Sequence, residues 1–127
     1  MSINMKNVVS ITSLAATLPD LIGKLDDEMK NIAGLMAALK KDGLIYAGEH
    51  MKDGKYLVLL HPSQTGEARR REYVGKDPQK IQEARDAIRR AKDYDALAKQ
   101  YEHLELIVTH GYRKLQEAAR TLSTRTL

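Results

Sequence analysis

The side chains in this sequence that could do chemistry are four histidines, a few clustered carboxylates and a run of arginines. His50 and His61 fall on a stretch that reads as a hairpin, and His103 and His110 stand seven apart on a helical one. No two of them have the i,i+4 spacing that lets a helix face hold zinc, and no acidic cluster adjoins any of them in sequence. They read as solvent-facing or hydrogen-bonded imidazoles. Asp26-Asp27-Glu28 falls on the polar face of a helix, where solvation accounts for it. The absence of cysteine excludes a thiolate nucleophile, a disulfide framework and a thiolate zinc site. The glycines stand at turns and form no phosphate-cradling loop, and Ser63 lies in no nucleophile elbow. The expectation is a protein that is not an enzyme, with no catalytic residue, no metal and no cofactor.

The arginines are different. Residues 68–92 carry a net charge of +5, while the rest of the chain sums to −1. Within an extended strand, Arg69 and Arg71 share one face with Tyr73, and Arg70 points the other way. On the helix that follows, Arg85 and Arg89 share a face at i,i+4, with Arg90 beside them. Guanidinium groups stay charged and donate in a fork, which suits phosphate oxygens, and a small sheet can also enter a major groove. The candidate nucleic-acid or partner-binding residues are therefore Arg69, Arg70, Arg71, Tyr73, Lys76, Arg85, Arg89 and Arg90. The competing reading is a salt-bridged surface in which Glu72, Glu83 and Asp86 neutralise the cations.

The elements that must position these residues follow from periodicity. With 127 residues, 43% hydrophobic and 30% charged, the chain reads as one domain, 1–127, of a soluble protein. It has six Tyr but no Phe or Trp, so its core must come from Leu, Ile, Val, Met and Ala. Residues 1–16 show no helical stripe, and Val8, Val9 and Ile11 suggest a short strand or a docked arm. A helix is expected over 17–42, with Pro19 in its first turn. Leu18, Ile22, Leu25, Met29, Ile32, Met36 and Leu39 alternate steps of four and three, a heptad seam. Lys40 and Lys41 suit the negative end of its dipole, and Gly43 suits the position just beyond it.

After Gly43 the period drops to two. Leu44 to Met51, Lys55 to His61 and Ala68 to Val74 read as three strands of an antiparallel meander over 44–74, the first two joined at Asp53-Gly54. Tyr56, Val58 and Leu60 line one face of the middle strand, and Leu57 and Leu59 line the other. Asp77 then caps a helix that opens at Pro78 and runs over 77–122. Ile81, Ala84, Ile88 and Ala91 form its first seam. After a three-residue slip, Tyr94, Tyr101, Val108, Leu115 and Leu122 recur every seven. Such a slip predicts a bend, or a break near Lys92–Asp95 or Thr109–Gly111. The fold class is α+β, mainly helical: long heptad-patterned helices packed with a three-stranded antiparallel β-meander.

Residues 54–95 are similar in layout to the arm-type DNA-binding module of phage and island integrases. The matching elements are Tyr56-Leu57-Val58, the Arg-rich strand ending in Tyr73-Val74-Gly75, Pro78 and Glu83-Ala84-Arg85. The stretch also resembles small mobile-element proteins that join a YVG strand to a long helix. The resemblance implies a sheet that docks on DNA and gives Arg69, Arg70 and Arg71 a contact role. The 25-residue heptad helix before it and the long helical tail after it depart from that module.

The resulting expectation is a small DNA-binding accessory or regulatory protein of a phage or mobile element, homodimeric through its helices. The alternative is a protein–protein module, such as a phage-encoded inhibitor of a host defence complex. No apolar run approaches the roughly 18 residues of a membrane span, and the N-terminus lacks the order of a signal peptide. The expected setting is the cytoplasm, with no membrane partner.

Overall fold

The computed structural model describes residues 6–63, 66 and 68–125. In chain order they form α1 (Lys6–Asp42), β1 (Gly48–Lys52), β2 (Tyr56–Leu60), β3 (Arg71–Gly75) and α2 (Pro78–Ser123). The fold is mainly helical α+β, with one three-stranded antiparallel sheet in the order β1-β2-β3. By contacts the chain divides into two compact units: Gly34–Gln100, and an outer unit in which residues up to Ala33 join those from Tyr101 onward.

The first helix corrects the expectation for its start. It begins at Lys6, so Val8, Val9 and Ile11 are helical, and Pro19 lies in the helix interior instead of its first turn. The heptad steps in fact continue upstream through Ala15, Ile11 and Val8, which keeps one apolar stripe unbroken from Val8 to Leu39. Pro19 has no N–H, so the Ala15 carbonyl loses its helical donor, a cost the flanking turns must absorb. The far end is as expected: Gly43 takes a positive φ of 104°, and its N–H donates to the Lys40 carbonyl at 3.2 Å.

In the unit Gly34–Gln100, the β1–β2 hairpin turns at Asp53 and Gly54, both with positive φ, as a tight Asp-Gly turn requires. The register pairs Glu49 with Leu59, His50 with Val58 and Met51 with Leu57. On the other side Val58 pairs with Tyr73 and Leu60 with Arg71, with an irregularity between Leu57 and Val58. Pairing and period two then sort the sheet into two faces. Leu57 and Leu59 are fully buried against Ala84 of α2, with Met51, Val74, Ile81 and Ile88 packed around them. The opposite face carries His50, Lys52, Tyr56, Val58, Leu60, Arg71 and Tyr73.

The third strand is shorter than the sequence suggests. It starts at Arg71, so Arg69 and Arg70 precede it, and only Arg71 shares the open face with Tyr73. The His61 N–H still donates to the Arg70 carbonyl at 2.9 Å, which anchors the approach to the strand.

The second helix is continuous over its 46 residues, without a break at Lys92–Asp95 or at Gly111. Its N-terminus is capped as expected: the Gln79 N–H donates to the Asp77 carboxylate at 3.0 Å. The slip between Ala91 and Tyr94 marks a change of neighbour. Ile81, Ala84 and Ile88 pack on the sheet, whereas Asp93, Ala96, Leu97 and Gln100 face Leu35, Ala38, Leu39 and Asp42 of α1 across a cleft of 430 Å³.

In the outer unit, Leu18, Leu25 and Met29 of α1 are half-buried and Ile32 is buried; Tyr101 and Leu104 are the half-buried residues of α2. From Glu105 to Arg125 every residue of α2 is exposed. An 18-residue window of α1 reaches a mean hydropathy of 1.3 with none of it buried. Ser, Thr and Gly interrupt its apolar runs and few charges fall within the window, so by length and composition α1 is long and apolar enough to cross a membrane, contrary to the expectation from apolar runs. Leu57 carries the packing of the sheet unit, and Leu57→Ala should lower unfolding free energy by about 2–5 kcal/mol in urea denaturation.

Candidate nucleic-acid interface

The sheet unit gathers its cations on three connected clefts beside the end of the sheet where Gly48 pairs with Leu60. The first, of 280 Å³, lies between the segment Ile45–Gly48 and α2, and its rim includes Arg69 and Lys92. The second, of 620 Å³, adjoins it through Ile45, Tyr46 and Pro62 and carries Arg70 beside His61 and Ser63. The third, of 410 Å³, shares Gly48, Ile88 and Lys92 with the first and adds Arg85 and Arg89. Helical spacing explains the series on α2, because Arg85, Arg89 and Lys92 stand at i, i+4 and i+7.

Among the described residues, two carboxylates line these clefts, and both are engaged. Glu49 accepts from the Arg85 Nε at 3.1 Å, and Asp95 accepts from the Tyr46 hydroxyl at 2.9 Å. Partial desolvation, and then that bond to Asp95, hold the Tyr46 hydroxyl above the ordinary tyrosine range. Glu72 pairs with the half-buried His61, Nε2 to Oε2 at 2.8 Å, and Asp86 accepts from Gln82. Among the described residues, no ion pair joins Glu72, Glu83 or Asp86 to an arginine or lysine of this window; the arginine that is paired, Arg85, is held by Glu49 from outside it. Among the described residues, the side chains of Arg69, Arg70, Arg71, Arg89 and Lys92 have no carboxylate within ion-pair distance.

Seven of the eight candidate residues separate into four groups. Arg69, Arg70 and Arg89 line the clefts with no side-chain partner among the described residues. Arg85 lines them while paired to Glu49 and resting on the Met51 sulfur at 3.9 Å. Arg71 and Tyr73 stand on the open sheet face, where Tyr73 is 64% exposed and its ring lies 6.0 Å from that of Tyr56. Lys76 is exposed between β3 and α2.

Arg90 is the exception. Its Nε donates to the Gly43 carbonyl at 2.8 Å and its Nη2 to the Asp42 carbonyl at 3.0 Å. That guanidinium closes the C-terminal end of α1, where helical carbonyls lack donors, and it leaves the set of surface contacts.

Sequence reasoning missed Lys92, although its place on the Arg85–Arg89 stripe was the signal for it. It also missed His50, Lys52 and Tyr56, which the strand register places with Arg71 and Tyr73. Among the described residues, the strands place no carboxylate on that open face, and its charged side chains are Lys52 and Arg71. No group of three His, Asp or Glu side chains gathers as a metal site among the described residues.

No family model matches this chain, and no curated protein or solved structure is detectably similar to it. The two roles of arginine separate in stability measurements. Arg90→Ala should cost about 1–3 kcal/mol of unfolding free energy, because the Asp42 carbonyl and the part-buried Gly43 carbonyl lose a charged donor. Arg70→Ala, with no side-chain partner among the described residues to lose, should stay within about 0.5 kcal/mol of the parent.

Proposed function

We propose that this protein binds DNA through the sheet unit, using the cleft-lining cations for phosphates and making no covalent chemistry of its own. One observation carries the reading: Arg69, Arg70, Arg89 and Lys92 lie along adjoining clefts with no carboxylate partner among the described residues, while Glu49 and Asp95 are already engaged. Like charges held together repel one another, and a polyanion relieves that repulsion. Arginines donate two parallel bonds to a phosphate, and each phosphate neutralised releases condensed counterions, so binding gains entropy in dilute salt.

The open face extends the same character. Arg71 and Lys52 supply charge, and the Tyr56–Tyr73 pair supplies apolar rings that tolerate a sugar or base edge. The resemblance of residues 54–95 to the integrase arm-type module implies the same role for Arg69, Arg70 and Arg71, of which Arg71 lies on the strand itself.

Binding to duplex DNA should weaken steeply with salt. Replacing Arg69, Arg70 and Arg71 together by Ala should reduce the slope of log affinity against log salt by about 2–3, at unchanged helix content. Arg89→Ala with Lys92→Ala should lower it by about 2. Equal affinity in parent and triple variant would eliminate this surface. A single protein retained from lysate after nuclease treatment, with no duplex binding by the purified chain, would favour the inhibitor reading.

A further inference from the structure

The outer unit has a surface that the arginine clefts do not explain. The apolar stripe of α1 reaches back to Val8, yet upstream of Leu18 every described residue is exposed; Leu14 is 68% so. The heptads of α2 run on through Val108, Leu115 and Leu122, all exposed, with Tyr112 at 64% beside them. Both seams therefore continue past the point where this chain covers them. Counting the flanking Val9, Leu14, Leu21, Leu106, Ile107 and Tyr112 with the seam residues themselves, large apolar side chains at least 40% exposed leave on the order of 1,000 Å² uncovered, against about 800 Å² per partner in a stable interface.

We propose that a second copy of this chain covers these seams, the outer segments of α1 and α2 from two chains packing as a four-helix bundle. The spacing favours helices as the occupant. Steps of three and four present knobs to the holes of another heptad helix, and a two-fold pairing supplies such a helix from the same sequence.

Lipid is the rival cover, and α1 taken alone meets its requirement. The outer part of α2 does not: Arg113, Lys114, Glu117 and Arg120 lie among its seam residues, and a hydrocarbon layer disfavours them. A membrane would cover one seam and leave the other bare, whereas a second copy covers both. The hydroxyls agree with burial. Ser10, Thr12 and Thr17 donate to the carbonyls of Lys6, Val8 and Leu14, and Thr109 donates to Glu105, so none of these four needs water.

The test is sedimentation equilibrium of the full chain over two decades of concentration, with and without vesicles of mixed neutral and anionic lipid. The expected result is a mass that follows a monomer–dimer equilibrium and is unchanged by vesicles. Val108→Glu with Leu115→Glu should weaken association by about 100-fold or more. Should that variant lose helix, Leu115→Ala with Leu122→Ala gives a graded weakening in a good helix former. A parent chain that stays monomeric at every concentration overturns the proposal, as does a monomer carried up with floating vesicles. A dimer untouched by either double variant places the contact elsewhere and overturns it too. DNA binding uses none of these residues, so either result leaves that reading to its own test.

Discussion

The guanidinium of Arg90 on the carbonyls of Asp42 and Gly43 is the joint on which the sheet unit depends. A helix ends with carbonyls that have no intrahelical donor, and Gly43 turns the chain sharply there. With Arg90 in place, the end of α1 is held against α2. The next residues continue the attachment, because the Ile45 N–H donates to the Ala87 carbonyl at 3.2 Å. Ala84, Ala87 and Ala91 are buried in this stretch, and their small side chains allow the approach. Segment 44–47 is thereby fixed between α1 and β1, and it forms one wall of the clefts that carry the unpartnered cations.

The fold divides a single basic window among different tasks. Arg90 supports the backbone. Arg85 is held by Glu49, on the sheet face that packs against α2. Arg69, Arg70 and Arg89 remain on the rims, joined by Lys92. The division follows from what each side chain meets. A guanidinium beside orphan carbonyls satisfies them, one opposite a carboxylate on a packed strand pairs with it, and those on rims keep their charge facing solvent. Composition places nine cations in one window, and the packing of α2 on the sheet decides which of them a ligand can reach.

Much of the fold was legible because its signals are local. The Asp53-Gly54 turn, the Asp77 cap with Pro78, the stop at Gly43 and the two faces of the middle strand all rest on neighbouring backbone chemistry. The start of α1 was not, because Pro19 looks like a helix opening when read alone, and the stripe through Ala15, Ile11 and Val8 is diluted by Ser and Thr. The start of β3 was misplaced because Arg69 and Arg70 continue the alternation of the strand without joining its ladder. The three-residue slip in α2 was visible as a pattern but ambiguous in consequence. It marks where the helix leaves the sheet and meets the end of α1, and the backbone passes through it unbroken.

The sequence by itself determined the class of elements, the heptad stripes, the hairpin and the concentration of positive charge, since these depend on residues within a few positions of one another. Tertiary structure alone decided that Arg90 binds the end of α1, that Glu49 takes Arg85, that Glu72 takes His61, and that Lys92 joins the rim. Those pairings link residues up to 48 positions apart. No periodicity encodes them, because they arise only when packing of apolar faces brings distant polar groups within a hydrogen bond of each other.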